Sequence, residues 1–191
     1  MSKPNKIAVV GAGTVLFRDE GIGVYGSRYL AENYTFEGAE VEMVDGGVLG
    51  FKLMTYYIDY DYVIILDTIT SHEDPPGTLF NIPALELLGL GSYKQTAHEV
   101  EIVEMLEIAA LNGNISDVHI IGIVPEDIDT VTIGLSPRLM ERFDAFVDEA
   151  LQELSRVGVQ AQPRPHLMPL SAVIEAYSNP NAPRHPAQQN P

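Results

Sequence analysis

Cysteine is absent from this chain of 191 residues. That excludes a disulfide framework, a thiol nucleophile and a thiolate metal site, so any metal would have to be held by carboxylate and imidazole. Basic side chains are scarce: 11 Lys and Arg stand against 27 Asp and Glu, a formal charge of −16. Nucleic acid and anionic membrane surfaces both call for a positive footprint, so neither is an expected partner. No apolar run approaches the roughly 20 residues of a spanning helix. The opening Met1-Ser2-Lys3-Pro4-Asn5-Lys6 runs straight toward a strand without the apolar region of a signal peptide, and a cytoplasmic protein is expected. Internal repeats are missing too, and the length suits one domain with a real core.

What the chain does have is a glycine turn of unusual sign. An apolar run, Ile7 to Val10, ends in Gly11-Ala12-Gly13-Thr14 and continues as Leu16-Phe17-Arg18-Asp19-Glu20-Gly21-Ile22-Gly23. A buried strand running into a tight turn is expected, with glycines allowing approaches that a side chain would block. A nucleotide-binding loop would start a helix there. This one carries Asp19 and Glu20, which repel phosphate and suit metal binding or the activation of water.

Short apolar runs alternate with helix-period stretches along the chain, a pattern of α/β sheets. Strands are predicted at Lys6–Gly11, Glu40–Val44, Tyr62–Leu66, Thr78–Ile82 and Val118–Val124, and helices at Glu20–Asn33, Leu49–Tyr57, Ala97–Leu111 and Pro137–Arg156. Asp19 can cap the first helix, Thr96-Ala97-His98-Glu99 fits a capping box, and Ser136 with Pro137 opens the last. Leu139, Met140, Phe143, Val147, Ala150, Leu151 and Leu154 recur at helical spacing as its buried stripe. Seven of the 13 prolines fall in the last 29 residues. From Pro163 on a disordered tail is expected, with a short helix at Leu167 to Tyr177 as its one element of order.

In open α/β sheets, functional groups collect beyond the carboxyl ends of the strands. Glu20 follows the first strand, Asp45-Gly46-Gly47 ends the second, Asp67 closes the third, and His98 lies in the first turn of a helix. Two carboxylates and an imidazole at one crest would make a site for a divalent metal with open positions. Each has a plainer role open to it. Glu20 can be a first-turn acid favoured by the helix dipole, and Asp67 a turn residue satisfied by the Thr68 or Thr70 hydroxyl. His98 shares a helical face with Ile102, Met105, Leu106 and Ala109 and can be a core histidine, while Asp45-Gly46 is a turn signal. Ser71 and His72 are neighbours in a Pro-rich loop and make a weak nucleophile pair.

Taken in order, these segments resemble the hydrogenase maturation endopeptidases over roughly residues 6–158. The resemblance rests on Gly11-Ala12-Gly13-Thr14, Leu16-Phe17-Arg18-Asp19-Glu20-Gly21-Ile22-Gly23, Asp45-Gly46-Gly47-Val48-Leu49-Gly50 and Ile64-Ile65-Leu66-Asp67. Pro76-Gly77-Thr78, Ala97-His98-Glu99-Val100, Ile121-Gly122-Ile123-Val124-Pro125-Glu126 and Gly134-Leu135-Ser136-Pro137 complete it. Ala-His-Glu-Val-Glu is similar to the branch that serves membrane-bound uptake hydrogenases. Thr14 departs from the family's Asn and offers only a hydroxyl in its place.

The resemblance implies a three-layer sandwich of the phosphorylase/hydrolase-like kind, a mostly parallel twisted five-stranded sheet with helices on both faces. It implies an endopeptidase that clips the C-terminal extension from the nickel-loaded precursor of a nickel–iron hydrogenase large subunit. Glu20, Asp67 and His98 would contact nickel that the substrate itself carries, with Asp67 or Glu20 taking a proton from the attacking water. Asp45, Gly46 and Gly47 would shape a groove for the substrate's C-terminal strand, and a monomer is the expected state. Two other classes stay open at this point. One is a chaperone that binds the precursor through the same triad without cutting it. The other is a dinucleotide-binding oxidoreductase, although Leu16 stands at the third glycine position and Asp45 lies far from the expected acid.

Overall fold

The run Ile7 to Val10 forms the middle of β1 (Lys6–Ala12) in the computed structural model, which describes residues 3–47, 52–71, 73–89, 97–111 and 116–179. β1 pairs in parallel with β3 (Glu40–Gly47) on one side and β4 (Tyr62–Thr68) on the other. β6 (Asp117–Ile123) continues the sheet in parallel, and β5 (Leu79–Pro83) closes the far edge antiparallel, giving the order β3-β1-β4-β6-β5. A strand flanked on both sides and covered on both faces reads as an unbroken apolar run. β4 meets that description: all seven of its residues are buried.

Helices cover both faces. Ile7, Val9, Ile64 and Leu66 pack with α1 (Ile22–Asn33) and α5 (Pro137–Arg156). Ala8, Val10, Val63 and Ile65 pack on the other face with α2 (Lys52–Asp59) and α4 (Ala97–Leu111), beside the short α3 (Ala84–Gly89). The expected bounds of α4 and α5 agree with those observed. Ser136 caps α5 by accepting from Leu139 N at 3.3 Å, with Pro137 next to it at the first helical position. The buried stripe of α5 differs from expectation at one step. Met140 is 42% exposed, whereas Phe146 is fully buried, because the stripe follows Leu139, Phe143, Phe146, Ala150 and Leu154 as the helix turns against the sheet.

The chain after Pro163 departs from expectation in part, since the short helix expected at Leu167 to Tyr177 is found, at Leu170–Ser178, but docked on the domain. β7 (Gln160–Pro163) pairs antiparallel with β2 (Tyr34–Glu37), and α6 (Leu170–Ser178) packs on α1 with Val173 fully buried. Order therefore extends well into the segment expected as a disordered tail. Asn33 supplies the reason: its side chain donates to Met168 O at 3.0 Å and accepts from Met168 N at 2.6 Å, clamping backbone 135 residues away. Residues 180–191, the Thr96 end of the expected capping box, Val48 to Gly50 and His72 lie outside the described residues.

At the amino end of the sheet a buried acid ties three elements together. Glu153, 2% exposed, accepts from the Tyr62 hydroxyl, from Asn81 Nδ2 at 3.1 Å and from Arg156 Nε at 3.0 and 3.1 Å. Burial by itself raises its pKa, but the Arg156, Tyr62 and Asn81 donors outweigh burial and hold it at about 2, below the ordinary 4.5. A depressed carboxylate stabilises the fold above its unfolded pKa, and that contribution fades as pH falls through the folded one. Glu153→Gln is thus expected to lower the melting temperature at pH 7, with the gap to wild type narrowing between about pH 4.5 and pH 2. Thermal melts across that range check this; a gap unchanged down to pH 2 would refute it.

Candidate active site

The crest of the sheet is built by backbone packed closer than side chains allow. A Cβ at Gly23 would lie 2.0 Å from Leu66 O and 2.5 Å from Ala12 O, so the first turn of α1 rests on the ends of β1 and β4. Gly13 has φ of +111° and would place a Cβ 1.8 Å from Glu20 O. Only glycine fits a left-handed backbone pressed against another chain segment. The same point lies 3.9 Å from Asp67 Oδ1, so the Glu20 turn and the Asp67 carboxylate meet around Gly13.

Asp67 is 1% exposed, and its Oδ1 accepts from the backbone N–H of Thr68 at 2.7 Å. Glu20 is half-buried in a 3₁₀ turn, Arg18–Gly21, that precedes α1. The expected helix start at Glu20 is thereby corrected to Ile22, since the turn has to clear the glycine contact before the helix begins. Gly21 is the N-cap and offers no side-chain bond, so Asp19 does not cap α1. Asp19 is instead fully buried and holds a distant loop. It accepts from Ser136 N at 2.6 Å, Asp127 N at 2.9 Å and Glu126 N at 3.0 Å. Arg18 adds an ion pair to Asp127 at 2.9 Å, and Arg18 N donates to Thr132 O at 3.0 Å.

His98 is placed by its backbone, at the second residue of α4. Fifteen helical residues span about 22 Å, close to the length of a seven-residue strand. α4 packs on the sheet through Ile102, Met105, Leu106 and Ala109 and ends at Leu111, shortly before β6 begins at Asp117. It must therefore begin at the opposite, carboxyl end of the parallel strands, the end that carries Glu20 and Asp67. Among the described residues no three His, Asp or Glu side chains come together as a ready metal site. That set leaves out the side chain of His98.

The Asp45-Gly46-Gly47 segment divides. Gly47 O accepts from Gly13 N at 3.0 Å, which joins the end of β3 to the glycine that borders Asp67. The pairing of β1 with β3 shifts by one residue at Gly46, a bulge that turns this crest. Asp45 is directed elsewhere. It alternates with Val41 and Met43, which pack on the α1 side, and its Oδ2 accepts from the Tyr177 hydroxyl of α6 at 3.0 Å. Burial, then the nearby Asp45 charge, pushes the Tyr177 hydroxyl well above the ordinary tyrosine pKa, so it is a secure donor. Sequence reasoning missed Tyr177 and its neighbours Tyr25 and Arg28 as well as the bonds of Asp19. For Tyr177 the only local hint was the short helix expected around it.

Comparison with known proteins settles the family. The family model for hydrogenase maturation protease matches residues 24–153. The chain belongs to the hydrogenase maturation proteases. It is 30% identical over 160 residues to the hydrogenase 2 maturation protease of Escherichia coli, covering 83% of this chain and 96% of that one. The hydrogenase expression/formation protein HupD of Thiocapsa roseopersicina is 29% identical over 188 residues, covering 94% and 84%. The solved structure of the hydrogenase maturating endopeptidase HybD from E. coli superposes with a TM-score of 0.76 at 30% identity, covering 83% of this chain and 98% of its own. As a maturation protease the protein is a hydrolase, and its single α/β domain is the one this family uses. The dinucleotide alternative loses its ground as well, since the glycine turn that would cradle a pyrophosphate borders the Asp67 carboxylate.

Proposed function

We propose that this maturation protease removes the C-terminal extension from the nickel-loaded precursor of a nickel–iron hydrogenase large subunit, in the cytoplasm. The observation that carries the reading is the Gly13 contact, where the Glu20 turn and the Asp67 carboxylate meet at the crest of the sheet. Among the described residues no helix is long and apolar enough to cross a membrane. Nickel belongs to the substrate here. Carboxylate oxygen and imidazole are ligands that can share a thiolate-held nickel without stripping it, since the softer sulfurs keep the metal. A chain without cysteine fits that division of labour.

In this reading Glu20, Asp67 and His98 face the metal-bearing end of the precursor. Asp67, fixed by its bond from Thr68 N, or Glu20 on its turn takes the proton of the attacking water. The Gly46–Gly47 end of β3, an edge strand, offers backbone groups to an extended peptide. Cleavage of nickel-loaded and nickel-free precursor, followed by intact mass, tests the function. Loss of a C-terminal peptide from the nickel-loaded form alone is the expected result. An unchanged mass with binding retained would point instead to a chaperone, and cleavage of both forms alike would remove nickel from the recognition.

A further inference from the structure

α6 lies beyond residue 153, where the match to the family model ends, yet it reaches one of the segments proposed to hold substrate. Tyr177 stands edge-on to Tyr25, with ring centroids 5.5 Å apart at 71°, and the Arg28 guanidinium carbon sits 5.4 Å from its ring centroid. Val173, one turn earlier, is fully buried. The ring is therefore held on two sides, and its hydroxyl has a defined direction. It donates to Asp45 Oδ2 at 3.0 Å, 132 residues away in sequence. Asp45 is the residue before the Gly46 bulge, and Gly47 is bonded to Gly13. Whatever fixes the Asp45 carboxylate also fixes the conformation of the chain that enters the crest.

We propose that Tyr177 is a positioning residue for the protease: its hydroxyl orients Asp45, so the C-terminal helix sets how firmly the β3 edge holds the precursor's C-terminal segment. The inference rests on the reading of Asp45-Gly46-Gly47 as substrate groove. Tyr177 is bonded to Asp45 and flanked by Tyr25 and Arg28, none of which is proposed for proton transfer, so its effect falls on substrate binding and leaves the chemical step alone. Binding lost equally from ground and transition states raises KM at constant kcat.

The test uses the full chain, nickel-loaded precursor at varied concentration, and the variants Tyr177→Phe, Asp45→Ala and the double variant. Tyr177→Phe retains the ring packing and loses only the hydroxyl, and a thermal melt confirms that it is folded. A rise in KM of about tenfold with kcat unchanged is expected, the worth of one hydrogen bond to a charged group. Because Tyr177 acts through Asp45, adding Tyr177→Phe to Asp45→Ala, which leaves no acceptor for the hydroxyl, should change KM no further. If Asp45→Ala cleaves like wild type, the groove reading fails and this inference with it. If Asp45→Ala raises KM while Tyr177→Phe does not, the groove stands and the positioning role is overturned. Multiplying effects in the double variant, or a fall in kcat with KM unchanged, would also overturn it.

Discussion

Asp67→Asn should slow cleavage of the precursor by a factor of about 10² to 10⁴, the usual contribution of a positioned acid or base, while the fold stays intact. The substitution separates charge from shape. An asparagine oxygen can still accept from Thr68 N, now at 2.7 Å, and the side-chain volume is almost unchanged at a position that is 1% exposed. What disappears is the negative charge beside Gly13 and the ability to take a proton. Stability should therefore hold to within about 1 kcal/mol, a buried carboxylate having been replaced by a neutral isostere that keeps its backbone partner. Rate under single-turnover conditions and the melting temperature are the two measurements. Full activity in a folded Asp67→Asn protein would remove Asp67 from the chemistry and leave Glu20 as the remaining candidate for the base.

Asp19→Ala is expected to produce the largest loss of stability, roughly 3 to 5 kcal/mol, from the backbone donors it leaves without an acceptor. Three N–H groups converge on this one carboxylate, and that of Ser136 is fully enclosed. Ser136 is also the N-cap of α5, so losing Asp19 loosens the cap of the longest helix as well as the loop from Glu126 to Ser136. For a domain of this size each kcal/mol moves the midpoint by about 2 to 4 °C, so a fall of the order of 10 °C or more in the melting temperature checks the point. A neighbouring control is Arg18→Ala. It removes a partly exposed ion pair to Asp127 and should lower the melting temperature far less. Equal losses from the two substitutions would mean that Asp19 is not the anchor of this loop.

The two acidic neighbours at the crest show how a site can be half legible. Asp19 and Glu20 are adjacent, both follow the glycine turn, and both are carboxylates. The sequence put Asp19 at a helix cap and the resemblance singled out Glu20, but nothing local assigned Asp19 to a distant loop. The assignment depends on the 3₁₀ turn, which points Asp19 inward to donors 107 to 117 residues away and leaves Glu20 half-buried beside Gly13. Asp45 carries the same lesson in reverse. Its place at the end of a strand was evident from Asp-Gly-Gly, yet strand alternation puts its carboxylate on the α1 side and into the reach of Tyr177.

The sequence by itself determined the alternation of strands and helices, the bounds of α4 and α5, the turn after β1 and the order of the motifs that mark the family. These are local properties. Apolar period, cap residues and glycine placement act over a few neighbours, and a single chain displays them without being folded. Tertiary structure alone decided the rest: the docking of the chain beyond Pro163 through Asn33, the anchoring role of Asp19 and the hold of Tyr177 on Asp45. Each of those is a hydrogen bond between partners more than 100 residues apart, and composition carries no signal for it. The polar side chains of Asn33, Asp19 and Tyr177 are satisfied only when the folded sheet brings a distant segment to them, and that closure turns a proline-rich segment with one short helix into part of the protein.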